Sequence, residues 1–177
     1  MRVAETERLS IRQFRPEDLD DLYNLCGDPE TMRYVGDGQP LTRRQTEEWI
    51  VVSHDNYQRQ GFGCFALTLT GDDNVVGYCG LVRPTPDGTA EIIYGLEKRL
   101  WGRGLMTEAV EAMIDLGFER FGLNSIISTI DPDNFPSIRI AEKLGMKFRE
   151  QRVDEFGLPE LLYSIEREDL RAGSQTA

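Results

Sequence analysis

The chain has 177 residues, 40% of them hydrophobic, and carries 31 acidic against 20 basic side chains for a formal net charge of −11. That length and apolar share suit one domain with a substantial core. The charge excludes a nucleic-acid backbone as the main partner, because phosphates would be repelled, and would draw in a cation such as an amine, although excess charge also serves solubility alone.

In chain order, Met1 to Arg8 lacks the apolar core of a signal peptide, and no later apolar run approaches the ~20 residues that span a bilayer. A cytoplasmic protein with no membrane partner is expected. Leu9–Phe14 alternates apolar and polar residues as a half-buried strand does. Pro16, Glu17 and Asp18 then open a helix whose Leu19, Leu22, Tyr23 and Cys26 share a face, ended at Asp28-Pro29. Thr42 and Gln45 have capping-box spacing for a second helix to about Arg59, stopped by Gly61 and Gly63. Cys64–Thr70, a Gly71–Asn74 turn and Val75–Val82 read as a hairpin, and Ala90–Leu96 as the next strand of the meander.

A strongly periodic helix follows from about Leu105 to Phe121, stopped by Gly122. Ser125–Ile130 is a short strand, Asn134–Leu144 a short helix, and Lys147–Val153 and Leu161–Ile165 are two closing strands. The order βααβββαβαββ gives an α/β (α+β) fold, a single mixed, mostly antiparallel sheet of about seven strands flanked by helices. Residues 1–170 are expected to form one domain and 171–177 a disordered tail. Cys26, Cys64 and Cys79 are widely spaced in apolar stretches and read as reduced core thiols. With His54 the only histidine, no metal site is expected.

The chemistry concentrates at Arg99-Leu-Trp-Gly-Arg-Gly104, between a strand and the periodic helix. Glycines there let the backbone approach a ligand while free N–H groups point at it, and an anionic phosphate is the natural guest. By itself the Gly-x-Gly fits a plain strand-to-helix turn equally well. Thr107 stands where a dinucleotide fingerprint needs its third glycine, and no Gly-Lys-Ser/Thr follows, which disfavours a Rossmann site and excludes a P-loop.

Arg99-x-x-Gly102-x-Gly104 resembles the Gln/Arg-x-x-Gly-x-Gly/Ala signature of GNAT acetyltransferases, and Trp101–Ala109 looks like their RimJ/RimL branch. Asn134-Phe-Pro-Ser137 and Glu142-Lys-Leu-Gly-Met146 are similar to that branch's later segments, and the likeness runs from Glu7 to about Asp169. It implies the GNAT fold and an N-acetyltransferase taking its acetyl group from acetyl-CoA and passing it to an amine, a protein N-terminus or a small molecule. The resemblance places the CoA pyrophosphate on backbone N–H groups from Trp101 to Thr107, including Gly102, Arg103, Gly104 and Met106, with Arg99 opening the signature. Pantetheine would lie where Ala90–Leu96 and Ser125–Ile130 splay apart. Leu96 would donate its N–H to the thioester carbonyl, and Asn134 would contact pantetheine or cap its helix.

For the base that deprotonates the amine, the resemblance points to Glu91, which equally suits a sheet-face glutamate paired with Arg or Lys. The alternative base position on the next strand holds Thr129, with Asp131 a weaker substitute. Ala141 stands where many members carry the tyrosine that protonates the thiolate. Ser137 could take that place or be a plain helix-terminus serine. Trp49, Tyr57, Phe62 and Tyr34 either wall the acceptor pocket or belong to the core. The closing strands of such enzymes often pair across dimers, so a second copy is a partner to consider. A catalytically weak CoA-binding sensor on the same fold is the competing function.

Overall fold

In the computed structural model, residues 1–169 are described; the tail expected at 171–177 lies outside them. The strands are β1 (Arg2–Glu5), β2 (Leu9–Arg12), β3 (Cys64–Leu69), β4 (Val75–Val82), β5 (Thr89–Leu96), β6 (Ser125–Ile130), β7 (Lys147–Val153) and β8 (Pro159–Glu166). The helices are α1 (Leu19–Cys26), α2 (Pro29–Met32), α3 (Arg43–Gln60), α4 (Leu105–Glu119) and α5 (Phe135–Lys143). All eight strands join one sheet in the order β1-β2-β3-β4-β5-β6-β8-β7.

The sheet therefore has one strand more than the expected seven. Arg2-Val-Ala-Glu is too short to show a period, and it becomes a strand by pairing antiparallel with β2, where Val3 and Ala4 pack on the core. A second difference lies at Asp28-Pro29. The pair ends α1 as expected, but Asp28 Oδ1 also accepts from Glu30 N at 3.2 Å and Pro29 opens α2, so one helix stop is the next helix start. Asp18, read as a helix-dipole acid, instead makes a buried two-pronged pair with Arg12 at 2.6 and 2.8 Å and accepts from Arg15 N at 2.7 Å. The pair fixes the crossing from β2 into α1, and removing either partner would strand a buried charge.

The long helices sit where their apolar faces need them. Ala109, Val110, Met113 and Phe118 of α4 pack with Leu67, Cys79, Leu81 and Ile92 on one sheet face. Leu22, Leu25 and Cys26 of α1 and Ile50 of α3 pack with Ala66 and Tyr78 on the other. Strand alternation divides β3, β4 and β5 between the two. The three cysteines are buried free thiols, and burial pushes Cys26 up to about 12 and raises Cys64 and Cys79 as well, so none is a nucleophile at neutral pH.

The sheet opens at one place. β5 and β6 run parallel and pair only through Thr89↔Ser125, Ala90↔Ile126 and Glu91↔Ile127. Past these residues β5 stays with β4 as far as Leu96↔Gly77, while β6 stays with β8 through Ser128↔Tyr163 and Ile130↔Leu161. Each strand follows its outer neighbour, and a wedge opens between them.

Candidate active site

Backbone direction along β5 determines what faces the wedge. Glu97 N donates to Val76 O at 2.9 Å, and hydrogen-bonding residues alternate along an antiparallel ladder. The N–H groups of Gly95 and Ile93 thus turn to β4, and those of Leu96 and Tyr94 turn to the opened edge. Trp101 Nε1 donates to Leu96 O at 2.7 Å and steadies this end of the strand.

Beyond β5, a 3-10 turn over Lys98–Leu100 leads to the glycine loop and α4. Gly102 and Gly104 have φ of +73° and +75°, a left-handed backbone that favours glycine. A Cβ at Gly102 would meet nothing within 4 Å, and one at Gly104 only Arg8 Nη2 at 3.6 Å. Gly104 caps α4 with no side-chain acceptor, so its own N–H and those of Leu105, Met106 and Thr107 have no acceptor among the described residues. Four unpaired donors at the positive end of a 15-residue helix make this a place where negative charge is electrostatically favoured.

The expected loop residues divide by role. Trp101 N is consumed by Lys98 O at 3.1 Å, so the run of free amides starts at Gly102 and not at Trp101. Arg99 turns its guanidinium to Glu97, 2.5 Å away. Arg103 offers its carbonyl to Arg8 Nη1 at 2.9 Å. The Met106 side chain is buried in the core, leaving its amide to face outward.

The sequence reading missed a clasp behind this loop. Glu108, in the first turn of α4, accepts from Thr6 Oγ1 at 2.5 Å, Arg8 N at 2.9 Å and Arg8 Nε at 2.7 Å. Burial raises its pKa, yet these donors outweigh burial and hold the carboxyl below the usual glutamate range. Thr6 and Arg8 lie a hundred residues from Glu108, so no local spacing signals the contact.

Around the wedge lies a cleft of about 1390 Å³. Glu91 stands at its floor with Thr129 Oγ1 donating to Oε1 and Arg83 Nη1 3.6 Å from Oε2. Glu91 thus has the Arg partner of its sheet-face reading and lies at the last β5–β6 pair, beside the wedge. Thr129 hydrogen-bonds Glu91, and Asp131 lines the same cleft. Arg83 also reaches Glu155 of the β7–β8 turn at 3.8 Å and is, among the described residues, the non-glycine residue with positive φ, 49°, a conformation L-residues rarely hold.

Across the wedge, Asn134 Oδ1 accepts from Ser137 N at 3.3 Å, so Asn134 caps α5, and both residues line the cleft. Ala141 is fully buried. Of the four aromatic candidates, Trp49 and Tyr34 line the cleft, with Trp49 edge-on to Tyr78 at 4.9 Å. Tyr57 stacks on Phe65 at 4.9 Å and Phe62 packs on Phe121, which makes those two core residues.

A splayed parallel strand pair beside an uncapped helix N-terminus can hold an extended anionic ligand through backbone alone. The family model of the acetyltransferase (GNAT) domain matches residues 8–147. The chain belongs to the GNAT acetyltransferases. Members of this family draw their acetyl group from acetyl-CoA, and the chain is an acetyltransferase. It is 32% identical over 148 residues to the uncharacterised N-acetyltransferase p20 of Bacillus licheniformis, covering 83% of each chain. A GNAT-family acetyltransferase from Bacillus anthracis shares the fold at a TM-score of 0.81 and 27% identity, over 95% of this chain and 99% of that one. RimL, a ribosomal L7/L12 α-N-protein acetyltransferase solved with coenzyme A, gives a TM-score of 0.82 at 14% identity, over 94% of this chain and 98% of that one, a likeness of fold. In this GNAT domain the signature glycines are the two left-handed residues of the loop, and the fold's strand wedge is the gap beyond Glu91↔Ile127.

Proposed function

We propose that this GNAT enzyme is a cytoplasmic N-acetyltransferase that passes the acetyl group of acetyl-CoA directly to a primary amine, on a protein N-terminus or a small molecule. The observation that carries this reading is the junction of four free amides at Gly104–Thr107 with the wedge whose floor is Glu91. The open space over Gly102 and Gly104 fits a pyrophosphate, and CoA bound there supplies the activated thioester.

The roles of the chain's own residues follow from that placement. Gly102 to Thr107 bind phosphate oxygens through N–H donors. Leu96 directs its N–H into the wedge, where it would polarise a thioester carbonyl and stabilise the oxyanion formed on attack. Asn134 holds the far wall of the wedge and orients pantetheine. Glu91 takes the proton that the amine must lose, since an amine with pKa near ~10 is largely charged at neutral pH. Ser137 donates a hydrogen bond to the sulfur.

The test is acetyl-CoA with a panel of peptides, polyamines and aminoglycosides, following free thiol and product mass. Turnover on at least one amine is expected. Glu91→Gln should lower kcat/KM by roughly 100-fold, as loss of a general base does. The loss should be greatest at low pH, where little free amine exists, and CoA affinity should stay unchanged. Equal loss of CoA binding would instead make Glu91 structural. Ala141 in place of a tyrosine favours a second reading, a CoA-binding sensor; tight CoA binding with no acceptor in the panel would select it.

A further inference from the structure

The clasp behind the glycine loop does more than join two distant parts of the chain. Arg8 closes the turn between β1 and β2 and is fixed along its backbone. Its N donates to Glu108 Oε1 at 2.9 Å and its O accepts from Thr70 N at 3.0 Å, next to the pair Leu9↔Leu69. The guanidinium is held as firmly. Nε and Nη2 each lie 2.7 Å from Glu108 Oε2, and Nη1 donates to Arg103 O at 2.9 Å. The last of these bonds reaches the loop itself.

Arg103 O belongs to the same peptide unit as Gly104 N. That unit is trans, since no peptide bond among the described residues is cis, and in a trans peptide C=O and N–H point in opposite directions. A guanidinium on the carbonyl side therefore sends the Gly104 N–H away from Arg8. Gly104 N has no acceptor among the described residues, so the donor that Arg8 aims is a free one. Left-handed glycines flank Arg103, with φ of +73° at Gly102 and +75° at Gly104, and their freedom lets this peptide plane turn at little cost unless something pins it. The bond from Arg8 is the pin. A cation on the carbonyl oxygen also draws electron density from the N–H and strengthens it as a donor.

We propose that Arg8 is a positioning residue for the cofactor, aiming and polarising the Gly104 N–H through the Arg103–Gly104 peptide. The inference rests on the reading above that puts the CoA pyrophosphate on these amides. Arg8 acts from behind the loop, on the carbonyl side of the peptide, and the amide alone meets the phosphate. Because 46% of its side chain is exposed, the effect is that of one modest charge-assisted bond.

Calorimetry of CoA binding to Arg8→Met, Arg8→Met/Glu108→Gln and Thr6→Val tests this, with kcat and KM for acetyl-CoA measured on an amine that the wild type turns over. Arg8→Met keeps an unbranched apolar stem and removes the bond to Arg103 O. CoA affinity should fall roughly 5- to 10-fold. KM for acetyl-CoA should rise by the same factor while kcat stays within about twofold, because the amide holds phosphate and not the reacting carbonyl. The double variant neutralises the Glu108 carboxylate that Arg8→Met leaves without its cation, and it should bind CoA as weakly as Arg8→Met. Thr6→Val breaks the clasp at Glu108 and leaves the bond to Arg103 O in place; its melting point should drop while CoA affinity holds within about twofold. Affinity restored in the double variant would trace the loss to the bare carboxylate, and an equal loss in Thr6→Val would trace it to general loosening. Either result, or unchanged affinity in Arg8→Met, would overturn the role of Arg8 and leave the cofactor reading standing. Wild-type protein that binds no CoA would overturn the cofactor reading, and this role with it.

Discussion

Two helices begin at the wedge, and their N-termini are built in opposite ways. At α5 every early amide is used or missing: Phe135 N donates to Asp133 O at 3.0 Å, Pro136 has no N–H, Ser137 N donates to Asn134 Oδ1 at 3.3 Å, and Ile138 N donates to Asn134 O at 3.1 Å. At α4 the cap is a left-handed glycine with no side-chain acceptor, and the amides of Gly104 to Thr107 stay free. A helix end that satisfies itself is stable alone and can serve as a fixed wall. One that leaves its donors open bears the cost of unpaired amides, about 1 kcal/mol or more for each that lacks water or a partner, and is completed by an anion. The sequence difference is small: Asn-Phe-Pro-Ser against Gly-Leu-Met-Thr.

The contrast can be broken most strongly at Gly104. A Gly104→Val variant puts a β-branched side chain on a φ of +75° and into the space above the free amides. CoA affinity by calorimetry should fall roughly 10- to 100-fold, from backbone strain of ~1–3 kcal/mol; retained affinity would remove the anion site from this loop. The opposite end should respond in stability. Asn134→Ala removes the α5 cap at a cost of about 1 kcal/mol, read as a melting-point drop of roughly 2–4 °C for a chain of this size. Phosphate binding should barely change. Loss of the Asn134 contact with pantetheine should lower CoA affinity less than Gly104→Val does; an equal fall would place the main hold on CoA at α5 and not at the α4 amides.

A further test lies behind α4. Glu108→Gln should cost about 1–3 kcal/mol at pH 7 through its hydrogen bonds with Thr6 and Arg8. Because the folded carboxyl titrates below its ordinary value near 4.5, its stabilisation is complete above that pH and is lost as pH falls through the folded pKa. The melting-point gap between wild type and Glu108→Gln should therefore be full at pH 7 and narrow steadily below about pH 4.5. A gap constant with pH would mean that the ionised form of Glu108 contributes nothing.

Much of this site could be read from local spacing. Gly102 and Gly104, the start of α4 at Leu105, and β6 at Ser125–Ile130 each follow from short-range patterns that act within a few residues. What escaped the reading depends on distant pairing. Arg2–Glu5 is a strand through β2, and Thr6 and Arg8 matter through Glu108. Trp101 was expected among the phosphate-facing amides, but the 3-10 turn over Lys98–Leu100 takes its N–H, a matter of one residue of helix phase that periodicity cannot resolve.

Amino-acid order alone determined the family, through two motifs at the right separation, and the places where backbone must turn left-handed, because glycine conformational freedom and helix capping are local properties. Tertiary structure decided the rest. Strand alternation together with the parting of β5 from β6 sets Glu91 and Thr129 on one side of the wedge and Tyr94, Ser128 and Ser137 on the other. A side chain's face follows from its strand's register against its neighbours, and that register is set by the whole sheet.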